Sequence, residues 1–135
     1  MSEHEIPQGG YNLISIEFLV NDVEENLAFF EKLGFPRRWL DTPDANGRVP
    51  RASLTAGAMG KIWIRRASTK PKIQSSSSIN PFFWVDGGPD GLIAHRKRIA
   101  DQGIPVTPII DEHALPNYTI TTPDGYSICF FTQYV

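Results

Sequence analysis

The sequence contains very little cysteine, which excludes a disulfide-stabilised fold. Cys129 is the single cysteine among 135 residues, so no disulfide can form within the chain. An apolar core must stabilise the fold instead, and a chain of 135 residues can bury about two-thirds of its unfolded surface. Apolar residues make up 41% of the chain and charged residues 21%, which is typical of a globular domain.

Long apolar runs and an excess of positive charge are also missing. No stretch approaches the ~20 apolar residues that span a bilayer, and residues 1–10 lack the basic and apolar segments of a secretory signal. The formal net charge is −2, which gives no general attraction to nucleic acid. We therefore expect a cytoplasmic protein that binds neither membranes nor nucleic acid.

Residues 14–35 have the pattern of a strand, a helix cap, a helix and a helix end. Residues 14–20 are mainly apolar and β-branched, which predicts a strand. Asp22 is placed to cap the helix, with Glu25 three residues later as in a capping box. Gly34 supplies the left-handed helix end. Apolar residues recur at the spacing of one helix face at Val23, Leu27 and Phe30.

Three further strands are predicted after this helix, at 36–40, 51–57 and 61–67. The turn-rich residues 41–50 are predicted to be an exposed loop. The first half of the chain therefore has the order βαβββ. A serine-rich polar linker follows at 69–78 and need not fold.

The second half repeats this order. A strand at 80–85 and a helix at about 90–102 precede a short strand at 104–110, where Pro105 and Pro108 favour an edge position.

A loop at 111–117 and a hairpin at 118–135, with Pro-Asp-Gly at its turn, complete the second half. We therefore predict an α+β protein with two tandem βαβββ modules, about 13–68 and 79–135, in a single domain spanning residues 1–135.

The strand at 80–85 is apolar on both faces. Period-2 alternation points Phe82 and Trp84 one way and Phe83 and Val85 the other. A helix covers only one face of a sheet, so the sister module or another chain must cover the second face. This apolar second face is consistent with a homodimer and equally with cover by the sister module.

Several motifs of this chain resemble those of the vicinal oxygen chelate superfamily, the glyoxalase, bleomycin-resistance and extradiol-dioxygenase group. They are the paired βαβββ modules, V-N-D at 20–22, F-F-E-K-L-G-F at 29–35 and T-P-D-G-Y-S-I at 122–128. The resemblance covers nearly the whole chain. It implies a cupped, barrel-like mixed sheet with the helices outside, and a dimer that completes its cavities across a two-fold axis.

Metal-using members of that superfamily bind the ion through His and Glu side chains in the cup. The resemblance places three ligand positions at Ser15, Asn80 and Cys129, and a fourth on the strand at 61–67, which has neither a carboxylate nor an imidazole. Ser and Asn are weak neutral ligands, and one thiolate does not hold such an ion alone. We therefore expect no metal and no other cofactor.

Glu17 is the most informative polar residue. It shares a strand face with Ser15, the face that lines the cup in the resembling superfamily. Its carboxylate can bind a cationic ligand or act as a base. Alternatively, it is a partner for Arg65 or Arg51 within the fold, because an unpaired buried carboxylate is costly. Arg65 can instead meet an anionic substrate if it points inward.

Aromatic residues suggest a ligand pocket, because flat rings stack on planar molecules. The candidates are Trp63, Phe82, Trp84 and Phe131. The alternative for each is an ordinary core or dimer contact. Cys129 is either a nucleophile or a small buried hydrophobe. His113 is a candidate general base, although a solvated loop histidine is the commoner case.

We predict a metal-free small-molecule binding protein resembling bleomycin-resistance proteins, which sequesters a cationic or aromatic ligand. The acidic net charge is consistent with a cation. The predicted ligand-binding residues are Ser15, Glu17, Trp63, Arg65, Asn80, Phe82, Trp84, Cys129 and Phe131. One alternative is a lyase, isomerase or dioxygenase of the same superfamily, with a non-standard site built on Glu17 and His113. Another is a silent interaction module whose cup is filled by its partner chain.

Overall fold

The computed structural model describes residues 14–58, 60–69, 80–112 and 115–133. These residues form two βαβββ modules, as predicted. Their elements are β1 Ile14–Val20, α1 Val23–Lys32, β2 Arg37–Leu40, β3 Arg51–Ala56, β4 Gly60–Arg66, β5 Phe82–Trp84, α2 Gly88–Asp101, β6 Ile110–Glu112, β7 Leu115–Thr121 and β8 Ser127–Phe131. Residues 1–13 and nearly all of the predicted linker lie outside the described residues.

The chain divides into two compact units, residues 1–71 and 72–135. Each unit holds one four-stranded mixed sheet, with the order β1-β4-β3-β2 in the first and β5-β8-β7-β6 in the second. The first two strands in each sheet, β1 with β4 and β5 with β8, run parallel, and all other neighbouring strands run antiparallel. The predicted α+β class is confirmed. Closure into a barrel is not seen, because no strand pairing links the two sheets among the described residues. The single domain over 1–135 stays a prediction.

The helix α1 begins and ends as its sequence predicts. Asp22 has extended backbone geometry and its Oδ1 accepts a hydrogen bond from the Glu25 backbone N–H at 3.0 Å. At the other end Gly34 has a φ of 101°, a conformation that glycine adopts without strain. Neither helix in the described part of the chain has the length and apolar character of a membrane-spanning segment.

The core of the first unit lies between α1 and one face of its sheet. The rings of Phe18 on β1 and Phe30 on α1 have centroids 5.2 Å apart, and Leu54, Ile62 and Ile64 are fully buried beside them. Because strand side chains alternate, the residues between these positions point to the opposite face.

The prediction for residues 104–117 in the second unit, a strand followed by a loop, is wrong. No strand forms at 104–109; β6 starts at Ile110, and most of the predicted loop at 111–117 is strand. Pro105 and Pro108 lack the N–H groups that a ladder needs, so regular pairing begins only after them. Residues 104–109 still lie beside β7, since the Thr107 N–H donates to the Thr119 carbonyl at 3.1 Å. The predicted edge position holds for β6.

A histidine of α2 contacts a tyrosine of β7 in the second unit. Nδ1 of His95 lies 2.6 Å from the Tyr118 hydroxyl oxygen, and its ring centroid lies 4.6 Å from that of Phe130. Burial lowers the pKa of His95 to about 4, helped by the positive charge of Arg98. Burial also raises the pKa of Tyr118 above its usual range. Both groups are therefore neutral at physiological pH.

We expect His95 to make the second unit sensitive to acid. Its folded-state pKa of about 4 lies below the ordinary histidine value of 6.5, so the unfolded chain binds more protons between these two pH values. The stabilisation is therefore present above about pH 6.5 and is lost as pH falls to about 4. The thermal unfolding midpoint should fall across this range, and His95→Gln should flatten that fall.

Lys97→Gln serves as the control, because Lys97 is an exposed residue of the same helix. Its midpoint should follow the wild-type pH dependence. An unchanged pH dependence in His95→Gln would contradict this account.

Candidate functional site

The face of the first sheet opposite α1 carries a row of polar and aromatic side chains. In the strand register, Glu17 lies opposite Trp63, Trp63 opposite Ser53 and Ser53 opposite Trp39. Two residues along the strands, Arg65 lies opposite Arg51. We call this surface the polar face, defined by Ser15, Glu17, Trp39, Arg51, Ser53, Lys61, Trp63 and Arg65.

Glu17 forms ion pairs with two arginines on the polar face. Its Oε1 accepts a hydrogen bond from Nε of Arg65 at 3.1 Å, and its Oε2 accepts one from Nη2 of Arg51 at 3.5 Å. The predicted pairing with Arg65 or Arg51 is therefore correct and involves both. The side chains of Glu17, Arg65 and Arg51 are 32%, 48% and 43% exposed. Such exposed pairs contribute only about 0–1 kcal/mol each.

Trp63 lies between a cation and a second tryptophan. The Arg51 guanidinium carbon is 4.4 Å from the Trp63 ring centroid, a cation–π distance. The rings of Trp39 and Trp63 meet edge to face at 5.9 Å. Within the described residues, Arg51 Nε and Ser53 Oγ are buried without a hydrogen-bond partner. The polar face thus combines aromatic surface with unsatisfied polar atoms.

Sequence reasoning missed Trp39 as a member of this site. The pairing of β2 with β3 shifts between Arg37 and Trp39, so that three residues of β2 span the step from Leu54 to Ser53. This is the signature of a β-bulge. Simple alternation along β2 therefore cannot predict the face of Trp39, and no sequence signal in that strand marks the bulge.

The second sheet presents three aromatic residues on the face opposite α2. Phe82 and Trp84 on β5 are each 56% exposed. Their ring centroids lie 5.8 and 5.9 Å from that of Phe131 on β8. The structure therefore brings together three of the four predicted aromatic candidates. The fourth, Trp63, belongs to the first unit.

Cys129 has the environment of a buried hydrophobe. It lies beside Phe82 in the strand register and is 6% exposed. Its Sγ lies 3.7 Å from Oδ1 of Asn117, to which it donates. Burial raises the pKa of the thiol, so the nucleophilic thiolate is rare at neutral pH. These features favour the buried-hydrophobe alternative over a nucleophile.

The donor groups do not fit the metal that the superfamily resemblance implies. Ser15 and Asn80 are exposed neutral residues, and the thiol of Cys129 is held protonated by its burial. Within the described ranges, no three His, Cys, Asp or Glu side chains are close enough to share an ion. The candidate base His113 lies outside the described residues.

The sequence profile of the Glyoxalase/Bleomycin resistance protein/Dioxygenase superfamily matches residues 12–130. The chain belongs to this superfamily. The profile covers both βαβββ modules and all of the predicted ligand-binding residues except Phe131. A comparison with curated proteins found no match.

Solved structures with the same fold include proteins of different activities. TioX from Micromonospora sp. ML1 is 19% identical with a TM-score of 0.70, over 90% of this chain and 98% of its own. TnmS3, an antibiotic binding protein from Streptomyces sp. CB03234, is 19% identical with a TM-score of 0.70, over 96% and 100%. Lactoylglutathione lyase from Agrobacterium tumefaciens is 13% identical with a TM-score of 0.67, over 95% and 96%. These likenesses establish the fold alone.

We expect the Cys129 thiol to react slowly in the folded protein. At pH about 7.5, labelling by a disulfide reagent such as dithionitrobenzoate should be roughly a hundred-fold slower than in urea-unfolded chain, because reaction needs an accessible thiolate. The absorbance of the released thiol measures both rates. Equal rates in the two states would show that Cys129 is open to solvent.

Proposed function

We propose that this chain binds a small aromatic molecule reversibly and without a metal, and so sequesters it. Aromatic side chains carry this proposal. Each sheet presents them, partly exposed, on the face opposite its helix, namely Trp39 and Trp63 in the first unit and Phe82, Trp84 and Phe131 in the second. TnmS3, which shares the fold, is an antibiotic binding protein, and sequestration is a mode of action that needs no reacting group.

Exposed aromatic rings gain free energy when a planar ligand covers them. Removal of apolar surface from water contributes about 25 cal/mol per Å², and rings stack in preferred offset or edge-to-face geometries. Phe82 and Trp84 each have more than half of their surface in solvent, so each has area to lose to a ligand. We propose both as ligand contacts of the second sheet, together with Phe131 on the same face. Trp63 is proposed separately, as a ligand contact of the first sheet.

The charge of the ligand is the weaker part of the sequence prediction. The sequence predicts that Glu17 binds a cationic ligand, but both carboxylate oxygens of Glu17 already accept hydrogen bonds from arginines. A cationic ligand would have to break these contacts and approach two guanidinium groups. The geometry therefore supports the aromatic part of the prediction more strongly than the cationic part.

The remaining predicted contacts include polar groups of each unit, Ser15 and Arg65 in the first and Asn80 in the second. Ser15 and Asn80 offer exposed neutral groups, and Arg65 offers a guanidinium that is nearly half exposed. Such groups fix the orientation of a ligand rather than supply most of its affinity. We propose them as orienting contacts, with Cys129 packed behind the aromatic residues of its sheet.

The enzymatic alternative has no specific support in this geometry. A lyase, isomerase or dioxygenase built on Glu17 would use its carboxylate as a base or a ligand, and each of the two oxygens already accepts a hydrogen bond from an arginine. His113, its proposed helper, lies outside the described residues. Catalysis on this fold therefore stays a prediction, as do the cytoplasmic location, the homodimer and the silent interaction module.

We expect loss of the exposed aromatic rings to weaken binding. Trp84→Ala should lower the affinity for a planar aromatic ligand by about ten-fold or more, because a stacked ring contributes about 1–2 kcal/mol. A screen of drug-like aromatics by quenching of tryptophan fluorescence identifies the ligand. Isothermal titration calorimetry then compares the variants, since it does not depend on the tryptophan that is removed.

Ile93→Ala is the matched control for this experiment. Ile93 has the same exposure of 56% but lies on α2, so its loss should leave the affinity unchanged. If Trp84→Ala and Phe82→Ala both bind every ligand of the screen as tightly as wild type, the second sheet does not form the site.

We expect purified, untagged protein to carry no stoichiometric metal and to be a dimer. Neutral donors and a protonated thiol bind divalent ions weakly, so elemental analysis should find well under one ion per chain. Native mass spectrometry should give twice the chain mass. One Zn, Ni, Fe or Mn per chain would instead favour the enzymatic alternative.

A further inference from the structure

We propose that the polar face selects an aromatic anion, and that Glu17 is an internal counter-ion which the ligand's carboxylate displaces. This inference rests on the proposed function, since it names the chemical class of the ligand. It reverses the role that the sequence suggested for Glu17, from a contact for a cation to a competitor for an anion.

The polar face has the opposite charge to the chain as a whole. On β1, β3 and β4 the side chains of this face include three cations, Lys61, Arg51 and Arg65, and one anion, Glu17. The local formal charge is therefore 3 − 1 = +2, whereas that of the chain is −2. A ligand at this face meets the local charge at contact distance, while most other charges are screened by salt.

The contacts of Glu17 are weak enough for a ligand to replace them. All three partners are partly exposed, and the hydrogen bond from Arg51 is long at 3.5 Å. Glu17 also leaves the hydrogen-bonding groups of Arg51 incompletely satisfied, because Arg51 Nε has no acceptor within the described residues. A planar carboxylate matches the fork of a guanidinium and can bind it through two parallel hydrogen bonds.

The aromatic surface of the polar face lies beside these arginines. Trp63 is adjacent to Trp39 on one side and is covered by the Arg51 guanidinium at 4.4 Å. Arg65 is two residues beyond Trp63 on the same strand, or about 7 Å along it. This distance between the positions of Trp63 and Arg65 is close to the length of a fused two-ring aromatic system. An aryl carboxylate can therefore place its rings against the tryptophans and its carboxylate at the arginines.

The two assignments of Glu17 predict opposite effects of one substitution. If Glu17 contacts a cation, Glu17→Gln weakens binding. If Glu17 competes with an anion, Glu17→Gln frees both guanidinium groups, raises the local charge and tightens binding. The amide of Gln has nearly the same shape as the carboxylate, so the comparison isolates the charge.

Three probes with the same ring system separate the ligand classes. They are 2-naphthoate, neutral 2-naphthalenemethanol and cationic 2-naphthylmethylammonium, each titrated into the full chain by calorimetry. We expect the naphthoate to bind at least about ten-fold more tightly than the ammonium compound, because the two guanidinium groups attract and hydrogen-bond a carboxylate but repel an ammonium group. Raising the salt concentration should narrow this gap.

Variants then test the named residues. Glu17→Gln should tighten naphthoate binding by about three- to ten-fold, and Arg65→Gln should weaken it by about ten-fold or more. Glu24→Gln and Lys97→Gln are the charge-matched controls on exposed helix positions, and both should bind like wild type. Circular dichroism checks that each variant folds. If Glu17→Gln does not fold, the three probes and Arg65→Gln still test whether the polar face selects an anion.

Each result has a defined meaning. Preference for the naphthoate, with tighter binding in Glu17→Gln, supports the inference. Preference for the ammonium or neutral probe, or weaker or unchanged naphthoate binding in Glu17→Gln, overturns it while the proposed function stands. Absence of binding by all three probes and by every ligand of the aromatic screen overturns both.

Discussion

The packing of one helix against one face of each sheet is the constraint on which the rest of this structure depends. In the first unit, contact between Phe18 and Phe30 fixes which side of β1 is buried. Alternation along the strand then forces Glu17 to the other side, and the register of β4 and β3 places Trp63 and Arg51 within reach of it. The polar face is therefore a consequence of the core, since no residue of that face could change sides without exposing the apolar set.

The second unit uses the same construction with different chemistry. His95 on α2 packs against Tyr118 and Phe130 of the sheet, which leaves Phe82, Trp84 and Phe131 on the opposite face. That face is mainly apolar, whereas the polar face of the first unit is cationic. The repeat thus preserves the fold while the chemistry of the two faces diverges.

Local features of this fold could be predicted from the sequence, and features set by distant pairing could not. The Asp22 cap, the α1 helix and the Pro-Asp-Gly hairpin depend on residues within a few positions of one another. The start of β6 and the face of Trp39 depend on which residues lie across the sheet, and a single bulge reverses alternation. The sequence suggests Arg65 or Arg51 as a partner of Glu17, but the strand register is needed to show that both lie within reach of it.

The same difference between local and distant information separates the overall charge of the chain from the charge that a ligand meets at one face. A net charge of −2 averages over surfaces that a ligand never meets, and salt screens charges beyond about 8–10 Å. Within that radius of Trp63, the strands supply two guanidinium groups and a carboxylate that already pairs with them. In our proposal this carboxylate, which accepts hydrogen bonds from two arginines, competes with an anion instead of binding a cation. Its main effect is to set how strongly an anion must bind to replace it.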